Sequence, residues 1–263
     1  MKIGIIGGGN LGQSLANGLV NFANHSAEKI TIYRRSEKHL KQLKDSGFNT
    51  AVSNLELVKS NDVIFIAVLP QQINNVLEEI SSSLNSNQLI VSLVTSVEID
   101  EIQVKLNGHS NIVRAMPNTA ISLGQSMTCI CASKGQEKSL ELVKDIFSKL
   151  GKAIIINENQ MTSATALCAC GTAFFLRAIR AAMQGGTEID FHAEEALLMA
   201  AQTAKGAAML LLENNSHPEE EIDKVTSPKG CTIAGLNNME HSGFSSAFIK
   251  GITTSAEKAK GLY

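Results

Sequence analysis

Two short runs in this 263-residue chain have residue types and spacing suited to holding a phosphorylated ligand. The first is Gly7-Gly8-Gly9-Asn10-Leu11-Gly12, which fits G-x-G-x-x-G. The pattern alone is weak. Here it follows an apolar run, Lys2–Ile6, and opens an amphipathic helical pattern, and that context gives it meaning. In such a strand–turn–helix, Gly7 would allow the tight turn, Gly9 would let the backbone approach a pyrophosphate, and Gly12 would let the helix pack close to the strand. The helix N-terminus adds unpaired N–H groups and a partial positive charge. A dinucleotide-binding loop is the expectation; the alternative is a Gly-rich turn without a ligand.

The second run, Arg34-Arg35-Ser36, bears on which dinucleotide. An NAD site usually places Asp or Glu about 20 residues beyond the loop, at the end of the second strand, to hold the ribose hydroxyls. Here the strand Ile30–Tyr33 ends in two guanidinium groups and no carboxylate. A guanidinium can pair bidentately with a 2′-phosphate. NADPH is therefore expected ahead of NADH, against the alternative of a solvated basic surface. Ala67-Val68-Leu69-Pro70-Gln71 would lie at the C-terminal edge of the sheet, where ligands bind in doubly wound folds. Pro70 could equally be a plain strand terminator.

Other chemistries find little support. There is no Ser-His-Asp or paired-carboxylate arrangement to account for, and none of the six His falls within a motif. Cys129-Ile-Cys131 reads as a strand with both thiols on one face, and Cys168-Ala-Cys170 lies in a small-residue segment. Neither has finger-like spacing or a His close in sequence, so packing thiols are expected and no metal. Five cysteines, an odd number, read as reduced thiols in a cytoplasmic protein. A net charge of −2 and 4% aromatic residues without Trp argue against nucleic acid. No run of 18 apolar residues occurs, so no membrane span is expected, and the N-terminus lacks the features of a secretory leader.

The elements that must position these groups follow from periodicity. Strands are expected at Lys2–Ile6, Ile30–Tyr33, Val63–Val68, Leu89–Leu93 and Ile112–Ala115, with Ser126–Cys131 and Ala153–Ile156 extending the sheet. Their Val and Ile content suits strands buried on both faces. Helices are expected at Leu11–Asn21, Glu37–Ser46, Ile73–Ser81 and Lys138–Leu150, the last with Gly151 as its C′ residue. After Asn157 strand-like runs vanish. Ala196, Ala200, Ala204, Ala207 and Leu211 mark one helical face within Phe191–Leu212, and Phe244, Ala247, Phe248, Gly251 and Ile252 repeat the pattern. Glu213–Pro218 is the one obvious break. The fold class is thus α/β: a Rossmann-like doubly wound domain over 1–157, then an all-helical domain over 158–263 whose small apolar faces suit dimerisation.

Three further stretches carry a resemblance: Arg114-Ala115-Met116-Pro117-Asn118-Thr119, Ala201-Gln202-Thr203-Ala204-Lys205-Gly206-Ala207, and Val225-Thr226-Ser227-Pro228-Lys229-Gly230-Cys231-Thr232-Ile233-Ala234-Gly235-Leu236. With the Gly-rich loop and Ala67–Gln71, they resemble the pyrroline-5-carboxylate reductase family over about residues 1–255. The resemblance implies NADPH-dependent reduction of 1-pyrroline-5-carboxylate to proline. It implies that Gly7, Gly9, Asn10 and Leu11 line the pyrophosphate, with Gly12 behind them, and that Arg34 and Arg35 lie near the 2′-phosphate. Ala67 and Pro70 would line the nicotinamide ribose, and Met116, Pro117, Asn118 and Thr119 would sit beside the nicotinamide ring. Ser227, Lys229, Gly230, Cys231 and Thr232 would form the loop that holds the substrate carboxylate through backbone N–H groups, with Thr232 offering its hydroxyl to the ring nitrogen. A homodimer, or a decamer built of dimers, is implied as well.

The chain departs from the family pattern on the substrate side. A Ser-Gly-Ser-Gly-Pro-Ala-Tyr-like segment reads Cys168-Ala169-Cys170-Gly171-Thr172-Ala173-Phe174, in which Gly171 and Ala173 survive. Ser-Pro-Gly-Gly-x-Thr reads Ser227-Pro228-Lys229-Gly230-Cys231-Thr232. If the replaced glycine needs a positive φ, Lys229 is strained by about 1 kcal/mol. Leu69 stands where the family often has Lys. Two alternatives stay open: an imine or carbonyl reductase with another small substrate, and a catalytically silent NADP-binding oligomeric sensor.

Overall fold

The structure is a computed structural model that describes residues 1–261. Two compact units emerge: Met1–Ala169 together with the chain from Ser255 onward, and Cys170–Thr254.

The first unit is built on an eight-stranded sheet: β1 (Ile3–Ile6), β2 (Ile30–Tyr33), β3 (Asn49–Thr50), β4 (Val63–Ile66), β5 (Leu89–Ser92), β6 (Ile112–Met116), β7 (Ser126–Ala132) and β8 (Gly151–Ile155). The spatial order is β3-β2-β1-β4-β5-β6-β7-β8. All neighbours are parallel except β6 and β7, where Met116 faces Cys129 and Arg114 faces Cys131. The strand order reverses between β1 and β4, which opens a crevice at their C-terminal ends.

The helices of this unit are α1 (Asn10–Phe22), α2 (Glu37–Asp45), α3 (Asn54–Ser60), α4 (Ile73–Ser81), α5 (Ile99–Lys105), α6 (Glu137–Ser148) and α7 (Met161–Ala164). Each core helix buries one stripe. In α4, Ile73, Val76, Leu77 and Ile80 are buried at helical spacing. The sheet separates two cores. Ile3, Ile5, Val63 and Phe65 pack with α1 and α6 on one face, where Phe65 meets Phe147 edge-on at 6.1 Å. Ile6, Ile64 and Ile66 pack with α3 and α4 on the other. Alternate side chains serve opposite faces, so β1 and β4 must be apolar throughout.

Several expectations need correction. The helix expected to run to Leu150 ends at Ser148. Gly151 is not its C′ residue; it opens β8 at φ +143, where a Cβ would strike the Ser126 backbone. Strand β7 lies where expected, but its antiparallel direction, the two-residue β3 and helices α3 and α5 are not legible in the pattern. After α7 the chain winds into a π-helix, Thr165–Cys170. Such wide turns are uncommon, and they recur at functional sites.

The second unit holds α8 (Gly171–Glu188), α9 (Ala193–Asn214), α10 (Pro218–Lys224), α11 (Cys231–His241) and the larger part of α12 (Phe244–Ala259). Helices α8 and α9 approach closely: a Cβ on Gly186 would lie 2.9 Å from that of Ala196. Phe248 gathers Phe174, Phe175 and Phe244 at 5.3–6.3 Å. On the expected α9 face Ala196 is buried, Ala200, Ala204 and Leu211 are partly covered, and Ala207 is exposed. Glu213–Pro218 is not the one break, because the chain also leaves helix between α8 and α9, at Val225–Gly230 and at Ser242–Gly243.

These helices bury almost nothing within the chain. Gly171 is the buried residue of α8 and Ala196 that of α9, while α10 and α11 have none. Leu176, Ile189, Leu198 and Leu212 are each at least 60% exposed. Although no run of 18 residues is wholly apolar, Glu158–Glu188 and Ala193–Asn214 are long and apolar enough, by length and composition, to cross a membrane.

Candidate active site

The Gly-rich loop sits where β1 gives way to α1. The amides of Gly7 and Gly8 both donate to the Tyr33 carbonyl at 3.0 Å, and Ala67 N–H donates to the Ile6 carbonyl at 2.8 Å. These bonds fix the loop to β2 and β4. Gly7 has φ +106, and a Cβ there would strike the Ala67 carbonyl. Gly12 is equally constrained, by the Gly7 carbonyl. Gly9 differs: nothing lies within 4 Å of where its Cβ would stand. Gly7 and Gly12 are thus required by the protein itself, while Gly9 faces open space. Helix α1 has no side-chain cap and no acidic residue in its first turn, so its N–H groups are left for an anion.

A cavity of about 780 Å³ opens at this point, within the size range of cofactor clefts. Of the expected cofactor residues, Gly7, Gly9, Asn10, Leu11, Arg34, Arg35 and Ala67 line it. Gly12 lies behind the loop. Pro70 starts a short 3-10 turn, Pro70–Gln72, of which Gln72 and not Pro70 faces the cavity. Met116, Pro117, Asn118 and Thr119 lie outside its lining. Met116 and Pro117 are buried and Thr119 is exposed. Asn118 caps the 3-10 turn Thr119–Leu123 by accepting from Ala120 N–H at 3.0 Å, and donates through Nδ2 to the Cys168 carbonyl at 3.1 Å.

The structure adds residues that motif reading passed over. Ser36 joins the two arginines on the wall, its hydroxyl 2.9 Å from His39 Nδ1. Asn54, at the start of α3, also lines the cavity and is 6% exposed. Its Nδ2 donates to Glu79 at 2.7 Å, but its Oδ1 accepts nothing. An unsatisfied buried acceptor costs about 1–3 kcal/mol, so one at a ligand wall calls for a donor from the ligand. Ser36 had a sequence signal, as the residue between the arginines and α2. Asn54 had none. The open Gly9 cradle, the two guanidinium groups and the Asn54 acceptor together fit a phosphorylated dinucleotide.

The residues expected on the substrate side belong to the second unit. Gly230 N–H donates to the Ser227 carbonyl at 2.9 Å, closing a turn with Pro228 and Lys229 at its corners. Lys229 has φ +60. Pro followed by a residue at positive φ is the pattern of a type II turn, which favours Gly at Lys229's position. A Cβ on Gly230 would lie 2.5 Å from Ser227 Oγ. Gly230 then caps α11, whose first turn contains Cys231 and Thr232 and no acidic residue. Ser227, Lys229 and Cys231 are exposed and Thr232 is partly buried; Gly171, the first residue of α8, is buried. A ready set of α11 N–H groups beside a lysine suits a carboxylate.

Two features of the first unit border the Met116–Thr119 stretch. Arg114, 3% exposed, pairs with Glu158 at 2.8 Å, and the same carboxylate oxygen accepts the Ile99 N–H at 2.8 Å. Cys129 Sγ lies 3.9 Å from Cys168 Sγ. The hydrogen bond between them lowers Cys168 and, with burial, raises Cys129 above the ordinary thiol range. Burial pushes the Cys131 thiol up to about 12. All five cysteines are reduced, and Cys129 and Cys131 are buried on one face of β7 as expected. Among the described residues no group of three or more His, Cys, Asp or Glu is placed to hold a metal ion.

Comparison with known proteins agrees with this geometry. Residues 158–262 match the family described as "Pyrroline-5-carboxylate reductase dimerisation", and residues 2–96 match "NADP oxidoreductase coenzyme F420-dependent". Pyrroline-5-carboxylate reductase 1 of Dictyostelium discoideum is 49% identical over 99% of this chain, which spans 50% of that protein's length. Pyrroline-5-carboxylate reductase 2 of the same organism is 46% identical, over 98% of this chain and 92% of its own. The crystal structure of Plasmodium falciparum pyrroline carboxylate reductase with NADP bound superposes with a TM-score of 0.91 at 28% identity, covering 100% of this chain and 98% of that one. A loop–helix cradle at the β1–β4 crevice, a helical segment matched from end to end, and relatives aligned over almost every residue lead to one assignment: the chain belongs to the pyrroline-5-carboxylate reductase family.

Proposed function

We propose that this protein reduces the cyclic imine 1-pyrroline-5-carboxylate to L-proline with NADPH, the last step in making proline. The observation that carries the reading is the 780 Å³ crevice, walled by both the glycine loop and the Arg34–Arg35 pair. Gly9, Asn10 and Leu11 hold the pyrophosphate at the α1 N-terminus, Arg34 and Arg35 pair with the 2′-phosphate, and Asn54 accepts a hydrogen bond from the cofactor. Ala67 and Pro70 serve the nicotinamide ribose, and Met116–Thr119 the ring. When bound, NADPH supplies the hydride.

The protein's share is orientation and one proton contact. The α11 N–H groups at Gly230, Cys231 and Thr232 take the substrate carboxylate, and Lys229 adds a positive charge beside it. The Thr232 hydroxyl hydrogen-bonds the ring nitrogen, while Ser227 and Gly171 shape the wall. A protonated imine already attracts hydride, so no strong base is called for. Residues 1–157 serve the cofactor and 158–263 the substrate and the subunit contact.

Oligomerisation goes with the dimerisation segment. We read the exposed apolar faces of α8 and α9 as a homodimer interface, with a decamer built of such dimers as the larger assembly, and not as membrane spans. The match of 158–262 to a dimerisation family supports that choice. Five reduced thiols suit a cytoplasmic location.

The test is oxidation of NADPH by the purified protein, with and without pyrroline-5-carboxylate. Substrate-dependent turnover is expected. NADPH binding without turnover would return the choice to another imine or carbonyl substrate, or to a silent NADP-binding sensor.

A further inference from the structure

We propose that Cys129 and Cys168 are a reversible redox-modification site: under peroxide they join in a disulfide that ties the π-helix to β7 and weakens cofactor binding. The two sulfurs stand 3.9 Å apart, and closing to a bond of about 2.05 Å asks for a shift of less than 2 Å. Their surroundings differ in the way such a pair needs. Cys168 is partly exposed on the π-helix, so an oxidant can reach it. Cys129 is 3% exposed in the middle of β7, shielded from direct attack but in reach of its partner. The hydrogen bond from Cys129 favours the Cys168 thiolate, the form that reacts.

The chemistry balances with peroxide as the oxidant. The Cys168 thiolate attacks one peroxide oxygen, the O–O bond breaks, and the released hydroxide takes a proton to become water. This leaves Cys168 as a sulfenic acid. The Cys129 sulfur then attacks the Cys168 sulfur. The S–S bond forms, the S–O bond breaks, and the hydroxyl leaves with the Cys129 proton as a second water. The two sulfurs lose two electrons and the peroxide gains them. A small dithiol reductant reverses the step by thiol–disulfide exchange.

The link to cofactor binding is structural. Cys129 is the register partner of Met116 across β6 and β7, and the Cys168 carbonyl holds the Asn118 side chain at 3.1 Å. Asn118 in turn caps the turn that begins at Thr119. Drawing Cys168 toward β7 therefore pulls on both ends of Met116–Thr119. That consequence rests on the cofactor role proposed for this stretch; the cross-link itself does not. Cys131, two residues along the same strand face and also buried, faces Arg114 and serves as an internal control.

The experiment treats the full-length protein with stoichiometric hydrogen peroxide, alkylates the remaining thiols, and maps peptides without reduction. The expected product joins the Cys129 and Cys168 peptides, lighter by two hydrogens, and disappears with dithiothreitol. It is absent from Cys129→Ser and from Cys168→Ser, the latter restoring the residue type of the family pattern. NADPH affinity, measured on the same samples, should fall about tenfold on oxidation in the unaltered protein and not in either variant. Over-oxidation of Cys168 with Cys129 still alkylated would overturn the proposal. So would a cross-link that leaves NADPH affinity unchanged. Failure of the reduced protein to turn over pyrroline-5-carboxylate would count against the substrate reading alone, since neither of these readouts uses it.

Discussion

Gly12 stands so close to Gly7 that a methyl group on the first would run into the carbonyl oxygen of the second. Gly9, between them in sequence, has open space where its Cβ would stand and an unstrained φ of −81. The two positions therefore separate structure from binding. Gly12→Ala should destabilise the protein by about 1–3 kcal/mol, because neither backbone can yield cheaply. Gly9→Ala should leave the melting temperature unchanged while raising the NADPH Kd by about tenfold, since its methyl would occupy the pyrophosphate approach proposed above. Thermal melts and cofactor titrations on both variants check this; a cofactor-neutral Gly9→Ala would contradict the cradle.

Arg34 and Arg35, both on the cavity wall, are the pair proposed above to recognise a phosphorylated ribose. Charge-assisted hydrogen bonds are worth about 1.5–3 kcal/mol, so replacing both by Ala should weaken NADPH binding by tenfold or more. NADH, lacking the 2′-phosphate, should be affected little. Titrating both cofactors tests it, and equal losses would argue against 2′-phosphate recognition. The NADPH effect should also shrink as salt is raised.

Lys229 occupies a backbone conformation that costs an L residue about 1 kcal/mol. Lys229→Gly removes that strain but gives the unfolded chain more freedom, worth about 0.4–1 kcal/mol in the opposite direction. Stability should therefore change by less than about 1 kcal/mol, whereas Lys229→Val should cost more, since β-branched side chains tolerate positive φ least. If the ammonium assists the carboxylate, Lys229→Gly should also raise KM more than it lowers kcat. Denaturant melts and steady-state kinetics measure the two effects separately.

The Arg114–Glu158 pair should be costly to break from the acidic side. Arg114 is 3% exposed and its Nε has no acceptor, so Glu158→Ala strands a buried charge and leaves Ile99 N–H without its partner. A loss of about 3–5 kcal/mol is expected. Glu158→Gln keeps an acceptor for both donors and should lose distinctly less. Urea unfolding of the two variants checks the order.

Much of this was legible in the sequence, and the omissions have physical causes. Strands such as Val63–Ile66 were readable because burial on both faces demands residues such as Val and Ile. The two-residue β3, Asn49–Thr50, has no apolar signal, since it is an edge strand held by register with Thr31 and Ile32. The direction of β7 is not written in any alternation: Ser126–Ala132 would read the same parallel or antiparallel. The strain at Lys229 was foreseeable from the resemblance, in which a lysine stands where the family pattern has glycine. Asn54 was not, because its burial and unpaired Oδ1 depend on Glu79, in another helix. The thiol pair is hidden for the same reason: Cys129 neighbours Cys131 in sequence and Cys168 neighbours Cys170, while the contact joins one from each.

The helical unit hides little of its apolar surface within its own chain: one residue of α8, one of α9, none of α10 or α11. A fold that leaves this much to its neighbour has no fixed melting point. Its folded fraction obeys mass action, so the melting temperature should climb with protein concentration and sink on dilution. For a family member with a dimerisation segment, the abundance of the chain then becomes a variable of its stability. A cell that makes little of it loses more than in proportion, because each unpartnered copy is also a less stable one.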